Sequence, residues 1–225
     1  MHKNKILHWL RYDGTVSQII FRQILCIIAL VCVMETVLCI YLYLTHQAPP
    51  MRAIVTLFAF AAVAGPVLVG LLCFAGTAAH ELGHWLAIRM FRHPVRSVSI
   101  GCGPLLRRWH WHKTPWSIHV GIGGGLVDED RDALAKRPAL TQAWFDIVCS
   151  LAGPAAGMTF ACPLACLWLY RPQAEDPADL VRMVVGLAAI FTAGANCLAL
   201  IPLPKTDGWF ALVGCRRLYR HYTQR

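Results

Sequence analysis

His80-Glu81-Leu82-Gly83-His84 is the stretch of this chain whose residue types and spacing suit metal-assisted hydrolysis. On a helix, positions four apart share a face, so both imidazoles can hold one metal ion. The carboxylate beside the first imidazole can then act as general base toward a water that the metal activates. Ten histidines and four glutamates in 225 residues would produce this spacing by chance about 0.008 times. The stretch also lies inside an apolar run, where three ionisable side chains are costly unless they serve a site.

Catalytic zinc usually takes three protein ligands and leaves one position open, so a third ligand is needed. The longer HExxHxxGxxH pattern is absent, because Ala87 and Met90 stand where its glycine and histidine would be. Glu175 falls in a loop that the charge pattern puts on the opposite side of a membrane. Asp128, Glu129, Asp130 and Asp132 are on the near side but read as a solvated acidic run. Asp207 is better placed, just after Pro202-Leu203-Pro204 at the near end of the last apolar run. Gly208 permits a tight turn there, and irregular backbone is tolerated at membrane depth where it lines a polar cavity. Two helices of opposite direction would bring His80, His84 and Asp207 to one depth, with Zn2+ as the expected ion.

The elements that must hold these groups are long and apolar. The chain is 57% hydrophobic and 15% charged, with a formal net charge of +9 and a mean hydropathy of +0.50. A soluble domain carries about a quarter charged residues, so the disordered and ordinary cytosolic classes are excluded. The basic residues are spread through short loops between apolar runs, which is no nucleic-acid footprint. Eight of the ten cysteines, among them Cys73, Cys149 and Cys197, lie in apolar runs and read as small packing residues. Apolar runs cover 24–44, 53–91, 142–170 and 180–203; the second is too long for one simple span and is interrupted by Gly65-Pro66, as one kinked helix or two segments.

Loop charges alternate at +3, +1, +4, −1 and +4 for residues 1–23, 45–52, 92–141, 171–182 and 203–225. By the positive-inside rule both termini and the 92–141 segment are cytoplasmic. Residues 94–130 read as short strands in a small membrane-associated β-hairpin region, with Trp109, Trp111 and Trp116 expected at headgroup level. A second metal site at His110, His112 and His119 is the less favoured reading of that hairpin. The fold expected is a mainly α, polytopic membrane protein of about four transmembrane helices. Residues 1–52 form a cytoplasmic N-terminus and an extra helix with Glu35 at its centre; 53–225 form the core, ending in a cytoplasmic tail, 208–225.

With these pieces in order, the sequence resembles the site-2 protease family of intramembrane zinc metalloproteases. His80-Glu81-Leu82-Gly83-His84 is similar to the family's first core helix, and Ser99-Ile100-Gly101-Cys102-Gly103-Pro104-Leu105 to its FSIGFG-type segment. Gly121-Ile122-Gly123-Gly124-Gly125-Leu126-Val127 resembles its glycine-containing strand, Ala152-Gly153-Pro154 its AGP, and Pro202 to Gly208 its PxPxxDG. Two asparagines common in the family are replaced by Gly157 and Ala199, while Asn196 lies one helical turn before the second. PDZ and CBS appendages of the family are not expected.

The resemblance implies regulated intramembrane proteolysis in a bacterial inner membrane, with a single-span membrane protein as substrate. His80, His84 and Asp207 would hold zinc and Glu81 would be the base. Asn196 is a candidate for substrate contact or for a helix–helix hydrogen bond. Gly123, Gly124 and Gly125 are candidates for a strand edge to which an extended substrate adds. A homo-oligomer is left open, and no nucleic-acid partner is expected. The alternative is a non-catalytic membrane scaffold or metal-dependent regulator that keeps the fold.

Overall fold

The structure, a computed structural model, describes residues 51–169 and 177–223. The expected 24–44 span with Glu35, and the Glu175 loop, lie outside the described residues. In chain order the elements are α1 (Met51–Met90), β1 (Val95–Trp111), β2 (Thr114–Glu129), α2 (Arg131–Ala135), α3 (Ala139–Leu169), α4 (Pro177–Ala199) and α5 (Asp207–Thr223). The described chain is therefore mostly helical, with one small antiparallel sheet.

The long second run is one continuous helix of 40 residues that passes through Gly65-Pro66. It stops because Arg92 adopts a left-handed φ of 50°. That turn lets His93 N donate to Ile88 O at 3.1 Å and Arg92 N to Arg89 O at 2.9 Å, satisfying carbonyls the helix end would otherwise orphan. Arg137 then donates to the Phe91 and Arg92 carbonyls at 2.8 and 3.1 Å. Val67–Met90 and Ala139–Leu167, 24 and 29 residues, are long and apolar enough to cross a membrane, since about 20 residues suffice. The apolar part of α4 is the shorter Val184–Ala199.

α1 packs against α2, α3, α4 and the sheet, while α5 packs on α3. The last turns of α1, through Ala87 and Ile88, meet Leu134 of α2 and Phe145 and Cys149 of α3. Trp85 meets Val98, Ile100 and Trp116 of the sheet, and Val69 meets Val184 and Ala188 of α4. The stretch 98–100 of β1 lies at the sheet's centre: Val98 pairs with both Val127 and Trp116, and Ile100 with both Gly125 and Ile118. At Gly101, φ is +81° and an added Cβ would lie 2.5 Å from Gly121 O, so the strand can bend there only without a side chain. His112 and Lys113 turn the hairpin with φ of 47° and 65°, the two-residue primed turn that matches strand twist.

The structure adds to the sequence reading here. Trp116 is 3% exposed, and the Trp85 ring stacks on Trp111 at 4.8 Å and meets Trp116 edge-on at 5.5 Å. Trp111 and Trp116 thus pack on α1 through Trp85, with Trp111 still 43% exposed. The acidic run is also less solvated than expected: Glu129 is ion-paired to Arg131, and Asp130 binds Arg96 at 2.8 Å while capping α2. The described part of the expected tail, 208–225, belongs to a helix, α5 (Asp207–Thr223). It lies against α3, where a Cβ on Gly214 would meet Ile147 Cγ1 at 2.7 Å and Ala143 O at 2.8 Å.

Candidate metal centre

The i, i+4 spacing on α1 puts the His80 and His84 rings 4.7 Å apart, with their Nε2 atoms 3.0 Å apart. Asp207 reaches the same point from α5. Its Oδ2 is 3.2 Å from His80 Nε2 and its Oδ1 3.4 Å from His84 Nε2. Among the described residues this is the one group of three or more His, Cys, Asp or Glu side chains able to hold a metal ion. His110, His112 and His119 are not gathered into another; His119 instead bonds the Gly103 carbonyl and Ser117.

Local chemistry explains how each ligand arrives. Thr206 precedes α5, and its Oγ1 accepts from Trp209 N at 3.3 Å, the bond an N-cap makes. Asp207 therefore occupies the first helical position, where the helix dipole favours a carboxylate. Gly208 is needed because a Cβ there would lie 2.0 Å from Leu200 O. Two further glycines bring α1 and α3 together: a Cβ on Gly83 would lie 2.3 Å from Ala152 O, and one on Gly153 would lie 2.2 Å from His84 Nε2. The HELGH glycine thus lets the α3 backbone approach α1, and the AGP glycine leaves room for the His84 ring.

Do these residues suit a metal? Four ligands at about 2.0 Å around zinc stand about 3.3 Å apart; the two Nε2 atoms are 3.0 Å apart, Asp207 meets His80 through Oδ2 and His84 through Oδ1, and one ligand atom from each of the three side chains lies within 4.8 Å of the others, close enough to share an ion. His84 Nδ1 lies 2.6 Å from the Cys149 carbonyl. A carbonyl only accepts, so Nδ1 carries the proton and the neutral ring turns a lone pair toward Asp207. An ionised carboxylate and imidazole lone pairs converging on one point attract a cation. With side chains 15–22% exposed, the ligands are buried yet reachable.

Glu81 is 6% exposed and points toward the sheet. A Cβ on Gly125 would lie 2.4 Å from its Cγ and 2.5 Å from its Oε1, so β2 passes directly over the carboxylate. Of the three candidate strand glycines, Gly125 touches Glu81, Gly124 is exposed with a φ of +82°, and Gly123 lies in β2 beside them. Asn196, 5% exposed, is against His80, its Oδ1 2.7 Å from Nδ1. The Cys149 carbonyl was not legible in the sequence, because a backbone acceptor has no residue signature. Nor was the Gly125–Glu81 contact, although a glycine in a strand does signal close approach.

Residues 66–175 match the model of peptidase family M50. That match includes the two histidines, Glu81 and Ala152-Gly153-Pro154, and ends before Asp207. A protein of Fusobacterium nucleatum subsp. nucleatum named as a zinc metalloprotease is 39% identical over 62 residues. The alignment covers 28% of this chain and 17% of that relative's length. Family match, motif order and side-chain geometry agree in supporting the site-2 protease family, peptidase family M50, as the family this chain is similar to.

Proposed function

We propose that this protein is a membrane-embedded zinc endopeptidase that cleaves a transmembrane segment of a membrane-anchored, single-span substrate. The observation that carries the reading is the convergence of His80, His84 and Asp207 beside a buried Glu81. Zinc at that point would acidify a water and polarise the scissile carbonyl. Glu81 would take the water's proton and deliver it to the departing amine. The Gly125 backbone over Glu81 helps keep bulk water from its carboxylate. Substrate addition to the strand around Gly123, Gly124 and Gly125 would supply main-chain hydrogen bonds.

Support for the membrane setting comes from outward apolar side chains on three helices. Val67 and Leu71 of α1, Leu151 and Leu167 of α3, and Phe191 and Leu198 of α4 are 44–65% exposed, a surface suited to lipid rather than water. With loop charges read by the positive-inside rule, the site opens toward the cytoplasm of a bacterial inner membrane and both termini lie on that side.

The test is Glu81→Gln in the purified, zinc-loaded chain with a single-span substrate in liposomes. Cleavage is expected to fall about 10²–10⁴-fold with zinc content unchanged. Equal cleavage by the variant would remove Glu81 as the base and favour the scaffold or regulator reading.

A further inference from the structure

The two imidazoles of the centre are held by different means. His84 is oriented by a backbone carbonyl of α3, whereas the partner of His80 Nδ1 is the Asn196 side chain of α4. An amide can present either its oxygen or its nitrogen, so which it offers must be decided elsewhere. Here Asn196 Nδ2 donates to the Thr192 carbonyl at 2.8 Å. That carbonyl can only accept, which turns Oδ1 toward His80. Oδ1 in turn can only accept, so His80 Nδ1 carries the proton and Nε2 keeps its lone pair for the metal.

The amide fits because α3 has no side chain where it lies. A Cβ on Gly157 would stand 2.3 Å from Asn196 Oδ1, 2.5 Å from Cγ and 2.5 Å from Nδ2. All three atoms of the amide head would be struck, and the head cannot move without losing Thr192 or His80. Asn196 is 5% exposed, with both ends of its amide engaged inside the protein.

We infer that Asn196 is a positioning residue that fixes the metal-binding tautomer of His80, and that Gly157 serves the centre by making room for it. The inference rests on the metal-centre reading above but concerns residues that touch no metal. It assigns Asn196 to ligand orientation instead of substrate contact, and it gives the glycine at position 157 a reason.

Zinc affinity of the full chain in detergent, measured by competition with a chromophoric chelator, tests it. Asn196→Ala is expected to weaken zinc binding about 10–100-fold, as loss of a ligand's hydrogen-bond partner does. Asn196→Asp, which keeps an acceptor at Nδ1, is expected to recover most of that loss. Gly157→Ala should weaken zinc similarly by pushing the amide away. Combined with Asn196→Ala it should add almost nothing, because its methyl then enters vacated space. Single variants within twofold of the parent, or losses that simply add in the double variant, would overturn the inference.

A second readout needs no zinc. In the metal-free, ¹⁵N-histidine-labelled chain at pH 9, His80 should show a protonated Nδ1 and a bare Nε2, and Asn196→Ala should shift protons to Nε2. A parent chain with its His80 proton already on Nε2 also overturns the inference. A parent chain that takes up no zinc overturns the protease reading instead, while the tautomer measurement still decides the role of Asn196.

Discussion

Two buried carboxylates each bridge two bases in this molecule, and they do opposite work. Asp146 of α3, 4% exposed, lies between Arg217 of α5 at 2.5 Å and Arg131 of α2 at 3.5 Å. Asp207 of α5, 22% exposed, lies between His80 and His84 of α1 at 3.2 and 3.4 Å. Guanidiniums arrive with their own protons and permanent charge, so the Asp146 cluster is complete as it stands. Neutral imidazoles whose Nδ1 protons are engaged elsewhere would turn lone pairs toward the carboxylate, an arrangement that a cation would complete. The same helix carries Asp207 at its start and Arg217 further along, so the arginine tie holds in place the helix that presents the ligand.

The comparison breaks most visibly at Asp207. Asp207→Ala is expected to weaken zinc binding more than about 100-fold, since even second partners of ligands are worth 10–100-fold, with little change in the unfolding temperature of the metal-free chain. Undiminished zinc uptake in an equilibrium-dialysis measurement would remove Asp207 from the ligand set. Next in size is Gly153→Ala, whose methyl must displace the His84 ring. It should cost about 1–3 kcal/mol as an overpacked core substitution does, and also lower zinc affinity; thermal unfolding and zinc titration together read both losses.

Asp146→Ala should reverse the Asp207 pattern. Its arginines are about half exposed and can turn to water, so the loss is expected at about 1–2 kcal/mol, below that of a fully buried pair. Zinc affinity should stay within about tenfold of the parent. A collapse of zinc binding here would mean that the two carboxylates act as one unit.

The smallest effect is a pH dependence at His93, which lies next to the segment that carries Arg131. Burial lowers its pKa below the usual value, the hydrogen bond to the Asp130 carbonyl opposes this, and Arg137 lowers it further. Nε2 donates to that carbonyl at 3.0 Å, while Nδ1 is buried without a partner. The unfolded chain thus binds a proton more readily than the folded one, and stability falls as pH drops below about 6.5. His93→Gln should flatten the unfolding temperature between pH 7 and 5.5, by less than about 1 kcal/mol in all. An unchanged slope would assign the acid sensitivity to other groups.

Much of the centre follows from local rules. The i, i+4 pair and its adjacent glutamate need only a helix, because 3.6 residues per turn place them without any partner. Asp207 was also reachable, from a proline-ended apolar run, a following glycine and the side of the membrane that loop charges assign. The site's supporting contacts were not reachable in this way. Gly83 and Gly153 stood in recognisable motifs, yet only the approach of α1 to α3 shows that the Ala152 backbone fills the space of one missing Cβ and the His84 ring that of the other. α5 was invisible as an element because its stabilisation comes from packing on α3 and from the Arg217 pair, not from an apolar run.

The sequence by itself determined the candidate ligand types, the candidate base, the resemblance to a family and the apolar helices that carry them, since these depend on residue identity and short periodic spacing. Tertiary structure alone decided which groups orient the ligands: the Cys149 carbonyl for His84, the Asn196 amide for His80, and the β2 backbone over Glu81. Those contacts join residues far apart in the chain through backbone atoms and empty Cβ positions, and neither leaves a spacing to read.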